Sequence, residues 1–315
     1  MFQIIKQGTV IPFMSIAKLV EVLCIAAVLF CIGCLCYKGL NWGLDFTGGV
    51  VIEVQYPQEA RLDVIRQDLN KIGISNAVVQ NFGTPRDVSI RIQPKGDENQ
   101  KDITEKVKQA ISSENADAVV TRSEYVGPAV GQELVVSGVI SVLLSLVILL
   151  VYIAARFEWR MATGAIISLA YDVIIVLGVF SFYGIEYDLT VLAAVLTVIG
   201  YSLNDKIVVF DRIRENARRL HKMAMVDLFN ISLTETLSRT IITSGTTLIT
   251  VISLLLLGGE MIFGFSLALL IGIIFGTISS IYVASTWPLL LGITRENLLV
   301  KEIKKDHEEI SEADY

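Results

Sequence analysis

Six stretches of this 315-residue chain are apolar for long enough to cross a bilayer, and that constrains its fold before any other feature is weighed. A spanning helix needs ~20 mostly apolar residues. The runs 19–37, 134–155, 161–183, 189–210, 241–258 and 262–286 meet or approach that length. Runs this long satisfy their backbone polar groups in lipid by becoming helices. The composition agrees: 53% hydrophobic, 18% charged and a mean hydropathy of +0.61, too apolar for an ordinary soluble chain. A formal charge of -6 offers nothing to nucleic acid.

Lys6 and Lys18 precede the first run as they would a secretory signal. At ~19 residues the run exceeds a typical signal core, and no small-residue cleavage site follows it, so it reads as a retained helix. All four cysteines, Cys24, Cys31, Cys34 and Cys36, fall within or beside it. The CxxC spacing of Cys31 and Cys34 has no histidine or aspartate nearby. These thiols therefore read as small lipid-compatible side chains rather than a metal or redox site, and no cofactor is called for.

Short connections set the orientation. Arg156, Arg160, Arg212, Arg214, Arg218, Arg219 and Lys222 lie between or beside spans at one end, and Arg295, Lys301, Lys304 and Lys305 follow the last. The opposite turns carry only Glu186, Asp188 and Glu260. The positive-inside rule then makes both termini cytoplasmic. The expected division is a cytoplasmic N-terminus 1–16, a first span 17–37 and a periplasmic domain 38–130. Five spans follow within 131–291, enclosing a cytoplasmic loop 211–238, and the tail is 292–315. The loop reads either as an amphipathic helix on the anionic inner leaflet or as a solvated basic turn. The acidic tail, with Glu302, Asp306, Glu308, Glu309 and Glu312, reads as disordered.

The external segment alternates strand and helix signals. Residues 50–56, 77–81, 88–92 and 118–126 are β-branched and strand-like. Residues 60–72 place Leu62, Ile65, Leu69 and Ile72 on one helical stripe, and 101–111 repeat the pattern with Ile103, Val107, Ala110 and Ile111. The order βαββαβ predicts a ferredoxin-like α+β sandwich. Ahead of it stands GLNWGLDFTGG, residues 39–49. Gly43, Asp45, Gly48 and Gly49 read as a structural turn with Asp45 as a local cap. The alternative is an anion cradle, but the strand and helix that a phosphate loop needs are missing.

Polar residues inside spans are costly and usually functional, an ionised carboxylate at membrane depth costing roughly 2.5–3.5 kcal/mol on insertion scales. In the run 189–210, Tyr201, Ser202, Asn204, Asp205 and Lys206 interrupt the apolar pattern. Thr197, Tyr201, Asn204 and Asp205 share one helical face, and Ser168 and Asp172 share a face on the third span. Arg239 opens the fifth span, with Thr243, Ser244, Thr246 and Thr247 following it. The parts suit a relay in which a desolvated carboxylate holds its proton until a guanidinium approaches. A static Asp205–Arg239 pair is the alternative, and Asp172 is either a helix–helix hydrogen bond or a second proton station. Gly272 and Gly276, with Ser279 and Ser280, read as close-packing positions.

GLDFTGG, AYDVIIVLG at 170–178, IGYSLNDKIVVFDRIREN at 199–216, SRTIITSGTTL at 238–248 and GTISSIYVAS at 276–285 carry a resemblance to a known family. The chain resembles, over nearly its whole length, the SecF family of the bacterial protein-export machinery, with its RND-like body. The resemblance implies a non-enzymatic inner-membrane subunit paired with SecD. It implies that the proton-motive force assists preproteins after SecYEG and SecA have moved them, with Asp205 and Arg239 on the proton pathway. Half of an RND-type exporter of small molecules is the runner-up, weakened by the small size of 38–130.

Overall fold

The computed structural model describes residues 9–74, 77–82, 84–92, 100–114, 118–221, 223–259 and 262–298. Lys222, Glu260 and the tail acids from Glu302 onward lie outside these.

The first span is α1 (Phe13–Lys38), and Gly39 ends it with positive φ. Its first turn is secured from a distance: the Ile11 amide donates to Thr234 Oγ1 and the Met14 amide to Asn230 Oδ1, each at 3.0 Å. After it come β1 (Asn41–Trp42) and a single helical turn, α2 (Leu44–Thr47).

The external domain then follows as β2 (Gly49–Gln55), α3 (Leu62–Lys71), β3 (Val78–Phe82), β4 (Thr84–Ile92), α4 (Gln100–Glu114) and β5 (Val119–Val126). The sheet order is β3-β4-β2-β5 and all its neighbours are antiparallel, which is the ferredoxin-like arrangement expected from the sequence. Alternation along β2 turns Val50, Ile52 and Val54 inward, where they meet Ile65 and Leu69 of α3 and Ile103, Val107 and Ile111 of α4. Ile72 departs from the expected stripe. Helix α3 stops at Lys71, and Ile72 is exposed where the chain turns into Gly73.

The membrane body continues as α5 (Pro128–Arg156), α6 (Trp159–Tyr183), β6 (Glu186–Tyr187), α7 (Leu189–Arg219), α8 (Met225–Leu257), α9 (Phe263–Ile281) and α10 (Val283–Leu290). Six helical stretches are long and apolar enough to cross a membrane, the last being α9 with α10. Local signals fix their ends. Pro128 opens α5, where its missing amide hydrogen costs nothing. Glu158 accepts from the Arg160 amide at the start of α6, and left-handed Gly184 closes that helix. The last span is broken at Tyr282, one turn and a half before Pro288, whose ring crowds the carbonyl of the preceding turn.

Helices α6, α7 and α9 form the centre, and α1 and α5 lie outside with most side chains turned outward. Gly272 lies against Val198 so closely that an added Cβ would come within 2.3 Å of it, and Gly276 faces Ser202, so these two glycines do let α9 approach α7. Cys24 and Cys31 are buried where α1 meets α6, and a Cβ on Gly178 would fall 2.4 Å from Cys31 Sγ.

One expectation needs correction. The segment 211–238 is not a surface loop, because α7 and α8 run on past the apolar runs and leave only a short turn between them. A polar network holds this extension together. Asn216 donates to Ser232 Oγ at 3.0 Å and Glu235 Oε2 at 2.7 Å, Arg212 donates to the same carboxylate at 2.7 Å, and Leu228 and Phe229 are fully buried. Of the tail, residues 292–298 lie against the body: Ile293 and Leu298 are buried, and Arg295 donates to the Leu220 and His221 carbonyls, while the disorder expected from Glu302 onward falls outside the described residues.

Candidate functional site

Two buried carboxylates occupy the centre, and their surroundings differ. Asp172, fully buried on α6, has both oxygens engaged. Ser279 of α9 donates to Oδ1 at 2.6 Å, Ser202 of α7 donates to Oδ2 at 2.5 Å, and Lys206 Nζ lies 3.0 Å from the same oxygen. Lys206 is itself wholly buried and also donates to Ser202 Oγ. The cluster ties three helices by one ion pair and two hydroxyls. A charge pair without water persists only when its remaining lone pairs and protons are met in this way. Ser168, one turn earlier on α6, is equally buried, and its hydroxyl has no partner among the described residues.

Asp205 is 4% exposed on α7, yet among the described residues it has no hydrogen bond and no ion pair within 4.0 Å. Lys206 and Arg239 act on it through charge at longer range. Arg239 is exposed on α8, so the direct Asp205–Arg239 pair considered from the sequence is not formed. Tyr201, one turn before Asp205, also has a buried hydroxyl without a partner among the described residues. The expected polar face of α7 is split. Thr197 and Asn204 are exposed while Asp205 turns inward, because each residue advances about 100° around a helix of 3.6 residues per turn.

The hydroxyls after Arg239 do not serve its guanidinium. Thr243 donates to the Arg239 and Thr240 carbonyls at 3.0 and 3.1 Å, and Thr246 and Thr247 likewise bond back to α8. Ser244 reaches across to Thr277 of α9 at 3.1 Å. Threonine in an apolar helix finds its nearest acceptor one turn back, and here that local bond prevails.

Lys206, Ser202 and Ser279 are the residues that reading the sequence did not assign to the site. The signal was present: Ser202 and Lys206 are four apart and share a face with Val198, which packs on Gly272.

The glycine-rich turn also differs from expectation. Asp45 is not a local cap. Its Oδ2 accepts from the Leu189 amide at 3.0 Å, so it caps α7 across 144 positions, beside Asp188, which accepts from Val191 at 2.8 Å. Gly43 donates to the Tyr187 carbonyl at 2.8 Å, and an added Cβ there would sit 3.0 Å from Asp188 Cα. Gly49 has φ +136 and would place a Cβ 2.6 Å from the Ile92 carbonyl oxygen, while Gly48 closes α2 with φ 66. These glycines serve close backbone approach, and no anion cradle is built.

Residues 106–294 match the family described as protein export membrane protein SecD/SecF, C-terminal, and residues 38–59 match the SecD/SecF GG motif. The chain is 50% identical to protein translocase subunit SecF of Vibrio alginolyticus, over 99% of both chains. It is 48% identical to the subunit of that name from Escherichia coli O157:H7, over 85% of this chain and 84% of that one. Among solved structures it resembles SecDF, a translocon-associated membrane protein from Thermus thermophilus, with TM-score 0.82 and 36% identity over 90% of this chain. A SecDF structure in a super-membrane-facing form gives TM-score 0.67 and 34% identity over 99% of this chain. The chain spans only 39% and 41% of those two longer chains.

Proposed function

This chain belongs to the SecF family of protein translocase subunits, and on that premise we propose that it uses a proton gradient, with a SecD partner, to assist preproteins at the outer face of the bacterial cytoplasmic membrane. It is a multi-pass membrane transport component and not an enzyme. The preproteins reach it after SecYEG and SecA have moved them, and the coupling ion is the proton, with no other cofactor. Both termini face the cytoplasm and residues 38–130 the periplasm.

The observation that carries the proton reading is the contrast between the two carboxylates. Asp172 has both oxygens held by Lys206, Ser202 and Ser279. Asp205 has no partner of its own among the described residues, and so is the group free to take up a proton and return it. Arg239, exposed one helix away, is the charge whose approach would drive release. On this reading Asp172 serves structure rather than the pathway.

The surface supports a SecD partner. Thr197 and Asn204 of α7, and Arg239, Thr246, Thr250 and Ser253 of α8, are exposed on this chain. A guanidinium and an amide facing lipid are unfavourable, and a second helical body laid against this face relieves the cost. The longer SecDF chains that this one matches in part are consistent with such a body.

The test uses Asp205→Asn, which keeps shape and hydrogen bonding, and Arg239→Met, which keeps length. Each is expected to abolish gradient-dependent export, read as precursor accumulation in cells, with membrane abundance and SecD copurification unchanged. The double variant is expected to assemble and stay inactive. Full gradient-dependent export by the double variant would eliminate the relay.

A further inference from the structure

The external domain is held to the membrane body by more than its two chain connections. β1 pairs in parallel with β6, Asn41 opposite Glu186 and Trp42 opposite Tyr187, at the turn between α6 and α7. The Leu44 amide donates to Glu186 Oε1 at 3.3 Å. Glu186 also forms an ion pair with Arg91, whose guanidinium donates to the Trp42 carbonyl at 3.3 Å. Arg91 lies on β4, a central strand bonded to both β2 and β3. An arginine from the middle of the external sheet therefore grips the turn that launches α7, beside the Asp45 cap on the first turn of that helix.

We infer that Arg91, Glu186 and Asp45 are positioning residues that join the external domain to α7 as one mechanical unit, transmitting a change at Asp205 to the outside. The inference rests on the proton-driven reading and adds to it the route. From Asp188 to Asp205 the helix is unbroken, about 25 Å at 1.5 Å per residue, and a hydrogen-bonded helix resists stretching along its axis. Without the grip, the domain would hang from Gly39, with positive φ, and Gly127, both able to pivot. The Arg91 and Glu186 side chains are 11% and 32% exposed, so salt screens their attraction less than at an open surface. Asp45 places a carboxylate at the positive end of α7 and fixes where that helix begins.

The test reads motion and export together in the full chain with its SecD partner, reconstituted in liposomes, with the four native cysteines replaced. Spin labels are placed at Arg86→Cys on the external domain and Leu257→Cys at the outer end of α8, both exposed positions. The expected result is a label–label distance that shifts by several ångströms between the Asp205 protein and Asp205→Asn. The shift should vanish in Arg91→Glu and in Glu186→Arg, with gradient-dependent export lost, and both should return in the charge-reversed double variant. That rescue also shows that the single variants failed through the pair and not through misfolding. A shift that persists in both single variants overturns the inference, as does a double variant that is abundant yet not restored. Absence of any shift with the joint intact overturns it too, while leaving the role of Asp205, which export alone decides, untouched.

Discussion

Lys206 stands next to Asp205 in sequence, yet it spends its charge on Asp172, 34 positions away. The choice follows from helix geometry: Lys206 projects one turn beyond Ser202, into the seam that α7 shares with α6 and α9, where Asp172 lies. Neither partner is exposed, so removing one leaves an uncompensated charge away from water. Lys206→Met alone should cost about 3–5 kcal/mol, whereas the double variant Asp172→Asn/Lys206→Met should recover most of that, since a neutral pair has nothing to desolvate. Thermal unfolding of the detergent-solubilised protein checks it, and a single variant melting like the parent would sink the idea of a buried clamp. Asp205→Asn, in contrast, is expected to leave the melting transition in place.

At the scale of elements, the external domain was the most legible part of the chain. Its strands and helices alternate between periods of two and 3.6, and the first strand and the first helix each end at a breaker, Pro57 and Gly73. The role of Asp45 was not legible, because a carboxylate in a glycine-rich turn looks the same whether it caps its own loop or a helix 144 positions away. The helical hairpin of α7 and α8 was hidden for a different reason. Its polar contacts are made by buried Asn216 and Ser232 and by exposed Glu235, residue types that read as solvated until their partners are known. Within the external domain, Glu53 on β2 carries a testable cost. Burial pushes its carboxyl above the ordinary range, Arg122 opposes that from 3.8 Å, and Glu124 adds to it. A carboxyl whose folded pKa is raised contributes stability that is present below its unfolded pKa and is lost as pH rises through the folded one. The domain should therefore melt higher at mildly acid pH than at neutrality. Glu53→Gln should flatten that dependence and raise the neutral melting temperature, measured by circular dichroism on residues 38–130. An unchanged pH profile in Glu53→Gln would show that another group is responsible.

For the whole molecule, the contacts fix which loops share an end of the bundle. Arg156 at the close of α5 donates to Asp211 of α7 at 2.7 Å, and Arg295 reaches the α7–α8 turn, so those connections lie together. Arg91 meets Glu186 at the other end, with the external domain. The bundle is thus polar in charge, with Arg156, Arg160, Arg214, Arg218 and Arg219 gathered at one end and Glu186 and Asp188 at the other. A membrane potential that is negative inside sets a cost of about 2.3 kcal/mol per elementary charge per 100 mV for carrying such residues across. In the proposed orientation the short arginine-bearing turns stay in the cytoplasm, whereas residues 38–130, a longer segment, are translocated. His221 lies in the α7–α8 turn and Arg86 at the far end of β4, both exposed. In a background without the native cysteines, Arg86→Cys should react with a membrane-impermeant maleimide in intact spheroplasts, and His221→Cys should react only after permeabilisation. Labelling of His221→Cys but not Arg86→Cys in sealed spheroplasts would invert the orientation. It would also place the domain that carries Arg91 on the side of the membrane where no exported protein is released.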